Sequence, residues 1–192
     1  QLVFAMGSLA TDYVFNHFKQ DEIPVVSICA KDPVLMKYVE NYNDTGKRNI
    51  AYTSLNIPVE YQMLYLKKLI NPLKNICVIY EKSNESAFQT QVLPVEHYAQ
   101  DNHIGFYEVS VDKPVNARKE LKEKCRQILK QFKQNDPDLS QSVFIITGST
   151  SVFNHIDVIN QVSENTLVFG LSPSMIGEGE NSATISIGVS FE

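Results

Sequence analysis

The chain lacks the materials for several kinds of protein. Cysteine is scarce: Cys29, Cys77 and Cys125 are the only three in 192 residues, and none forms a CxxC pair. An odd count gives no disulfide framework, and three unpaired, buried thiols are the expectation. No apolar run approaches the roughly 20 residues that cross a bilayer. Positive charge is short, with 17 Lys and Arg against 22 Asp and Glu, a net charge of −5 and a pI near 5.4. The basic residues of 118–133 alternate with Glu120 and Glu123, which reads as a solvated helix face. That pattern argues against nucleic acid as a partner.

Reaction motifs are missing too. The turn Gly7-Ser8 has one of the three glycines of a dinucleotide fingerprint, and the turn 148–151 (GSTS) lacks the lysine of a phosphate loop. There is no GxSxG. His17, His97, His103 and His155 are scattered, with no metal-ligand spacing. No nucleophile stands with a base, so neither catalytic chemistry, nor a metal, nor a cofactor is expected.

What is present is a repeated ending. Four apolar runs each stop at a small hydroxyl-rich turn: LVFAM-GS at 2–8, ICVIY-EKS at 76–83, VFIIT-GSTS at 143–151 and LVFG-LSPS at 167–174. The first three lead into helix-like segments. In open α/β sheets, ligands bind beyond the carboxyl ends of the strands. Ser8, Ser83, Ser149, Thr150, Ser172 and Ser174 would gather at that edge. Helix N-termini favour an anionic group by about 0.3–2 kcal/mol each, and hydroxyls add directional hydrogen bonds. Ser and Thr also cap helices as a matter of routine. Repetition on four strands favours a binding rim over four coincidental caps.

The order of elements predicts an α/β protein of parallel sheets flanked by helices. Strand 76–80, helix 86–101, strand 104–111, helix 115–133, strand 143–147, helix 151–163 and strand 166–170 alternate cleanly. The strands are continuous apolar runs, as expected when both sheet faces are covered. Helix 115–133 aligns Ala117, Leu121, Cys125, Ile128 and Phe132, and helix 58–70 aligns Val59, Met63, Leu66 and Ile70. Residues 1–55 form a separate group: strand 2–6, helix 9–19, strand 24–29, a short helix-like piece after Pro33, the polar turn 41–48 and strand 49–54. This group is too short to bury a core alone. Residues 56–175 form the second lobe, and 176–192 carry a strand, 183–190, that returns to the first. A start at Gln1 inside a strand suggests a fragment with an incomplete first lobe.

Asp32 stands before Pro33 at the same edge. It either pairs with a ligand ammonium or caps the piece that follows. Lys31 either neutralises it or meets a ligand carboxylate. Tyr52, Tyr80, Phe153 and Phe169 lie at or near strand ends, where they cover an apolar ligand or pack the core.

In sequence order, these segments resemble the ABC-transporter substrate-binding protein family of the type 1 periplasmic-binding fold, the group that includes a tryptophan-binding lipoprotein. FAMGSLA resembles aiGTpaA. VVSICAKDPVL resembles vfaaVsDPVg, with Asp32, Pro33 and Val34 in register. RNIAYTS resembles gNvTGvS. YLKKLINPLKNICVIYEKSNES resembles lelLkellPnakkigvlYnpse.nS. VFIITGSTSVFNH lies where the family has daiyvptDntv, and LVFGLSPSMIGEGENSATISIGVSFE resembles pvfasdedsveeGalasiGvdye. Six segments in one order cover essentially the whole chain.

The resemblance implies a two-lobed clamp that closes by a hinge on a small polar solute, often an amino acid, and delivers it to a membrane permease. It implies a periplasmic or extracellular location, with any membrane anchor outside this chain, and missing family segments before Gln1 and after Glu192. Carried over by position, the binding residues are Ser8, Asp32, Ser83, Ser86, Ser149, Thr150, Ser172 and Ser174. Departures from the pattern bear on the ligand. The family's Asn-Pro is Glu81-Lys82, its Thr-Gly is Ala51-Tyr52, and the Asp of ptDntv is Ser149. A ligand ammonium would then need Glu81, Glu85 or Asp32 in place of that Asp. The alternative reading is a sensor ectodomain of a membrane signalling protein, and an enzyme on the same fold is a third.

Overall fold

In the computed structural model, residues 1–18, 23–43, 49–177 and 179–189 are described. The chain divides into two compact units between Asn56 and Ile57. Most of the polar turn at 41–48, the last residue of helix 9–19 and the last residue of strand 183–190 lie outside the described residues.

The first unit is built on β1 (Val3–Met6), β2 (Val25–Ala30) and β3 (Ile50–Ser54), which pair in parallel in that order. Gly7 links β1 to α1 (Ser8–His17) at φ +83, a conformation that costs glycine little and other residues more. The Thr11 hydroxyl donates to the Gly7 carbonyl at 2.9 Å. Its one proton is thereby committed, so the buried Ser27 hydroxyl donates to Thr11 at 2.7 Å. These bonds tie α1 to the sheet around a core of Ala5, Val25 and Ile50.

Two expectations change in this unit. The piece after Pro33 is a turn rather than a helix; Lys37 takes φ +61, which ends any helical run. Cys29 is exposed rather than buried. The β2–β3 register shifts between Ser27 and Ala30, and Cys29 takes φ +55 within that irregularity. A bulge re-aims a side chain in this way.

The second unit carries a parallel sheet in the order β5-β4-β6-β7-β8. Its strands are β4 (Asn75–Glu81), β5 (Gly105–Val111), β6 (Ser142–Ile146), β7 (Leu167–Gly170) and β8 (Ile185–Ser186). Alternation sends Cys77, Ile79, Phe144 and Ile146 to one face, under α5 (Ala117–Phe132) and α7 (Ile156–Ser163). Ile76, Val78, Val143 and Ile145 point to the other face, under α2 (Val59–Leu69) and α4 (Leu93–Asp101). The aligned stripe of α5 is buried along its length. Phe132 bridges Tyr107 and Phe144, with ring centres 5.4 and 5.6 Å apart.

Within the segment expected to return to the first unit, the described strand is short and joins the second sheet. Ile185 and Ser186 pair with Phe169 and Gly170 and extend the second sheet. The backbone of Ile187 also donates to Gly170. The strand expected over 183–190 is thus reduced to Ile185–Ser186 among the described residues, and it lies beside β7. Helix 86–101 is interrupted: α3 (Glu85–Ala87) passes through a π-helical segment, Phe88–Val92, before α4. Pro94 stands at the start of α4, where its missing N–H is tolerated. Helix 151–163 likewise splits into α6 (Thr150–Phe153) and α7.

Candidate functional site

At the carboxyl end of the second sheet, the β4 and β6 loops are laced together by hydroxyls. Thr147 follows β6 directly and donates its hydroxyl to the Ile79 carbonyl at 3.0 Å. With that proton committed, Ser149 must be the donor in the 3.0 Å Thr147–Ser149 contact. Ser149 in turn accepts from the Asn84 side-chain amide at 3.2 Å. The other end of Asn84 accepts from the Ala87 backbone and from the Ser86 hydroxyl, each at 3.0 Å. A directed chain therefore runs from Asn84 through Ser149 and Thr147 to the main chain of β4.

Beside it, Glu81 closes β4. Its two carboxylate oxygens accept from Ser83 at 2.6 Å and from Ser151 at 2.7 Å. These hydroxyls hold the Glu81 carboxyl below the usual carboxylate range, so it is ionised at neutral pH. Gln91 fixes the neighbouring turn by accepting from the Gly148 N–H at 3.0 Å.

Over β6 and β7 the rim opens into a cavity of about 200 Å³ lined by Gly148, Thr150, Phe153, Ser172, Ser174 and Met175. Ser172 and Ser174 share one hydrogen bond at 2.8 Å, which leaves one of their two protons free. Thr150 is exposed at the cavity wall. Sequence-expected site residues thus separate into two sets. Ser83, Ser86 and Ser149 belong to the β4–β6 lacing, with Ser149 fully buried. Thr150, Ser172 and Ser174 line the open cavity. Tyr80 and Phe169 are buried in the core, whereas Phe153 is half-buried and reaches the cavity.

A larger cavity of about 650 Å³ runs along α2 and β8, lined by Tyr61, Tyr65, Leu69, Ile185 and Ile187 among others. It is mainly an apolar groove beside the edge strand. Of the rim hydroxyls it contains none, so size alone does not make it the site.

In the first unit, Ser8 is the first residue of α1 and is half-buried. Asp32 is buried and already engaged. One oxygen accepts from the backbones of Val34 and Leu35 at 2.9 and 3.0 Å, and the other accepts from the Tyr42 hydroxyl at 2.7 Å. Of the two roles open to Asp32 in the sequence, it performs the capping one. Burial pushes the adjacent Lys31 ammonium down to about 8. Phe15, Tyr38 and Tyr52 pack in succession, the first pair tilted and the second stacked, with ring centres 4.7 and 5.9 Å apart.

Three residues of the lacing were not singled out from sequence: Asn84, Thr147 and Ser151. The string EKSNES places an acid ahead of three polar side chains, which is a usable signal. Nothing local marks Thr147 as the relay to β4, because its partner lies 68 positions away.

The family described as ABC transporter substrate-binding protein matches residues 1–190. The chain is similar in structure to a conserved domain protein from Vibrio cholerae O1 biovar eltor, at 20% identity and a TM-score of 0.65, over 90% of this chain and 53% of that one. It is similar to the ABC domain in complex with L-Trp from Streptococcus pneumonia, at 17% identity and a TM-score of 0.65, over 90% and 55%. A substrate-binding protein with adhesive properties from Clostridium difficile, in its ligand-free, open form, aligns at 20% identity and a TM-score of 0.60, over 87% and 52%. The shared architecture is the type 1 periplasmic-binding-protein-like α/β fold. The chain spans about half the length of these structures. No curated protein sequence matches it. Among the described residues, no helix is long and apolar enough to cross a membrane.

Proposed function

The chain belongs to the ABC transporter substrate-binding protein family, and on that premise we propose that it is part of the extracytoplasmic solute-binding component of an importer. Its solute is small, polar and amino-acid-like, and its downstream partner is a membrane permease. The observation that carries this reading is the cavity over β6 and β7, where Thr150, Ser172 and Ser174 converge at the carboxyl ends of parallel strands. At about 200 Å³ it falls below the ~300–1,000 Å³ of a complete ligand pocket. It suits one polar group of a solute, with further contacts supplied elsewhere. A structural neighbour in complex with L-Trp supports an amino-acid-like ligand. The two units act as lobes of a hinge whose closed state holds the solute more tightly than the open one. Binding and release, rather than turnover, is the activity assigned.

Thermal unfolding against a panel of amino acids tests the reading. A solute present at 100 times its dissociation constant stabilises the native state by about 2.7 kcal/mol, a readily measured rise in melting temperature. Thr150→Ala together with Ser172→Ala should weaken that rise for the solute that binds. An unshifted melting temperature across the whole panel would refute the amino-acid-like assignment.

A further inference from the structure

We propose that Glu81 is the residue that receives the cationic group of the solute, and that Ser83 and Ser151 hold its carboxylate in place for that purpose. The proposal rests on the solute-binding reading above and deepens it. Three acids were open for this role in the sequence, and their surroundings separate them.

Asp32 is excluded by its partners. Its two oxygens accept three hydrogen bonds from Val34, Leu35 and Tyr42, and the side chain is buried. Glu85 is exposed on α3 and accepts from Gln89 one helical turn on, a local surface pair. Glu81 differs from both. It ends β4, an interior strand of the second sheet, flanked by β5 and β6. It is only partly buried. Two hydroxyls orient it, one from Ser83 in the β4 loop and one from Ser151 in α6, the helix whose first residue, Thr150, lines the cavity.

The position of the protons decides what this cluster can bind. Ser83 and Ser151 each have one hydroxyl proton, and each donates it to Glu81. Ser86 donates its proton to Asn84. What remains on all three serine hydroxyls is acceptor capacity. The carboxylate has about four lone-pair sites; two take these hydroxyls, and the Ser151 backbone N–H adds a further contact. The cluster therefore offers acceptors and one negative charge, with no side-chain hydroxyl donor left over. A ligand carboxylate would meet repulsion here, and an ammonium, with three donors, would be matched. Among the described residues no Lys or Arg pairs with Glu81; the adjacent Lys82 goes to Asp112 at 3.4 Å. Among the described residues Glu81 therefore has hydroxyl partners but no cationic one. Hydroxyl protons not committed within the Glu81 cluster are found at the cavity, on Thr150 and the Ser172–Ser174 pair. Acceptors at the end of β4 and donors in the loops after β6 and β7 supply the two kinds of partner that a zwitterion needs.

The experiment compares matched probes on the whole chain. Each L-amino acid is paired with the deamino acid of the same side chain, such as L-tryptophan with indole-3-propionate and L-leucine with 4-methylpentanoate. Melting temperatures and calorimetric affinities are measured for the native chain, Glu81→Gln and Glu81→Asp. The proposal expects stabilisation by an ammonium-bearing probe and about 10- to 100-fold weaker binding of its deamino partner, the loss of one charge-assisted contact. Glu81→Gln should reproduce that loss, and Glu81→Asp should recover part of the affinity. Equal binding of a deamino acid, or an unchanged affinity in Glu81→Gln, overturns the assignment while leaving solute binding intact. Failure of every probe in both arms removes the solute-binding reading and this proposal with it. The probe comparison needs no variant, so it decides the matter even if Glu81→Gln does not fold.

Discussion

The two units share one grammar, parallel strands joined through helices, yet they bury their apolar residues very differently. In the second unit Ile76, Val78, Phe144 and Ile146 are fully buried, because helices cover both faces of the sheet. In the first, Phe4 is 62% and Met6 69% exposed, and of α1 only Thr11 is buried. The apolar content of the strands is similar. The difference lies in what lies over them. Alternation along a strand specifies which residues share a face, but burial requires a second layer on that face. The site chemistry follows the same division. In the second unit, polar side chains lace two loops across the sheet. In the first, the acid at the strand end is absorbed by its own turn.

The largest effect that would break this contrast is a cavity in the covered core. Phe144→Ala should cost about 3–5 kcal/mol, since Phe144 is fully buried and its ring packs on Phe132. Denaturant unfolding measures it, and a loss under 1 kcal/mol would mean that the second unit is not packed as described. Next comes Ser149→Ala. Ser149 is fully buried between Asn84 and Thr147, so its removal leaves a donor and an acceptor without their partner. The expected cost is about 1–3 kcal/mol. Because Ser149 is enclosed, solute affinity should change less than stability, which separates it from Thr150 on the cavity wall.

Much of this division was readable in the sequence, and particular residues show where reading stopped. The α5 stripe from Ala117 to Phe132 follows from helical spacing, and all of its members are buried. The hydroxyl turns fall at the carboxyl ends of β1, β4, β6 and β7, because a strand's end is a local property. The direction in which a hydroxyl points is not local. Ser149 turns inward because Asn84, 65 positions earlier, supplies a donor and Thr147 supplies an acceptor. Pairing at sheet edges is likewise a contest among distant strands. Of the strand expected over 183–190, Ile185 and Ser186 are the strand residues among those described, and they pair with β7. Cys29, at a strand end, was expected to be buried with the other two thiols, and the register irregularity of β2 accounts for its exposure.

A smaller effect distinguishes the acids of the two rims. Hydrogen bonds from Ser83 and Ser151 lower the folded-state pKa of Glu81 relative to the unfolded chain. The unfolded state then binds more protons in the acid range, so stability falls as pH drops. The contribution is complete above the ordinary glutamate value, about 4.3, and disappears as pH falls through the lowered folded value. Unfolding midpoints followed from about pH 6 to 3 should decline less steeply in Glu81→Gln than in the native chain. An identical decline in both would show that the two hydroxyls do not bind the carboxylate in solution. Since Glu81 is partly exposed, solvent screens the effect and the difference in slope should be modest.

The smallest expected effect is the sharpest test of the comparison. Phe4 sits on edge strand β1 with most of its ring exposed. Replacing it with serine removes a side chain that buries little area, so Phe4→Ser should change stability by no more than about 0.5 kcal/mol. The same replacement at a covered position, such as Phe144, would be severe. If Phe4→Ser instead costs more than about 2 kcal/mol, the figure for a well-buried ring, then β1 is covered in solution. The contrast between the two units would then lie in which layer covers each sheet, and no longer in whether one is covered at all. Hydrogen exchange at the amides of Phe4 and Met6 separates the outcomes independently: an edge strand open to water exchanges quickly, and a covered one is protected.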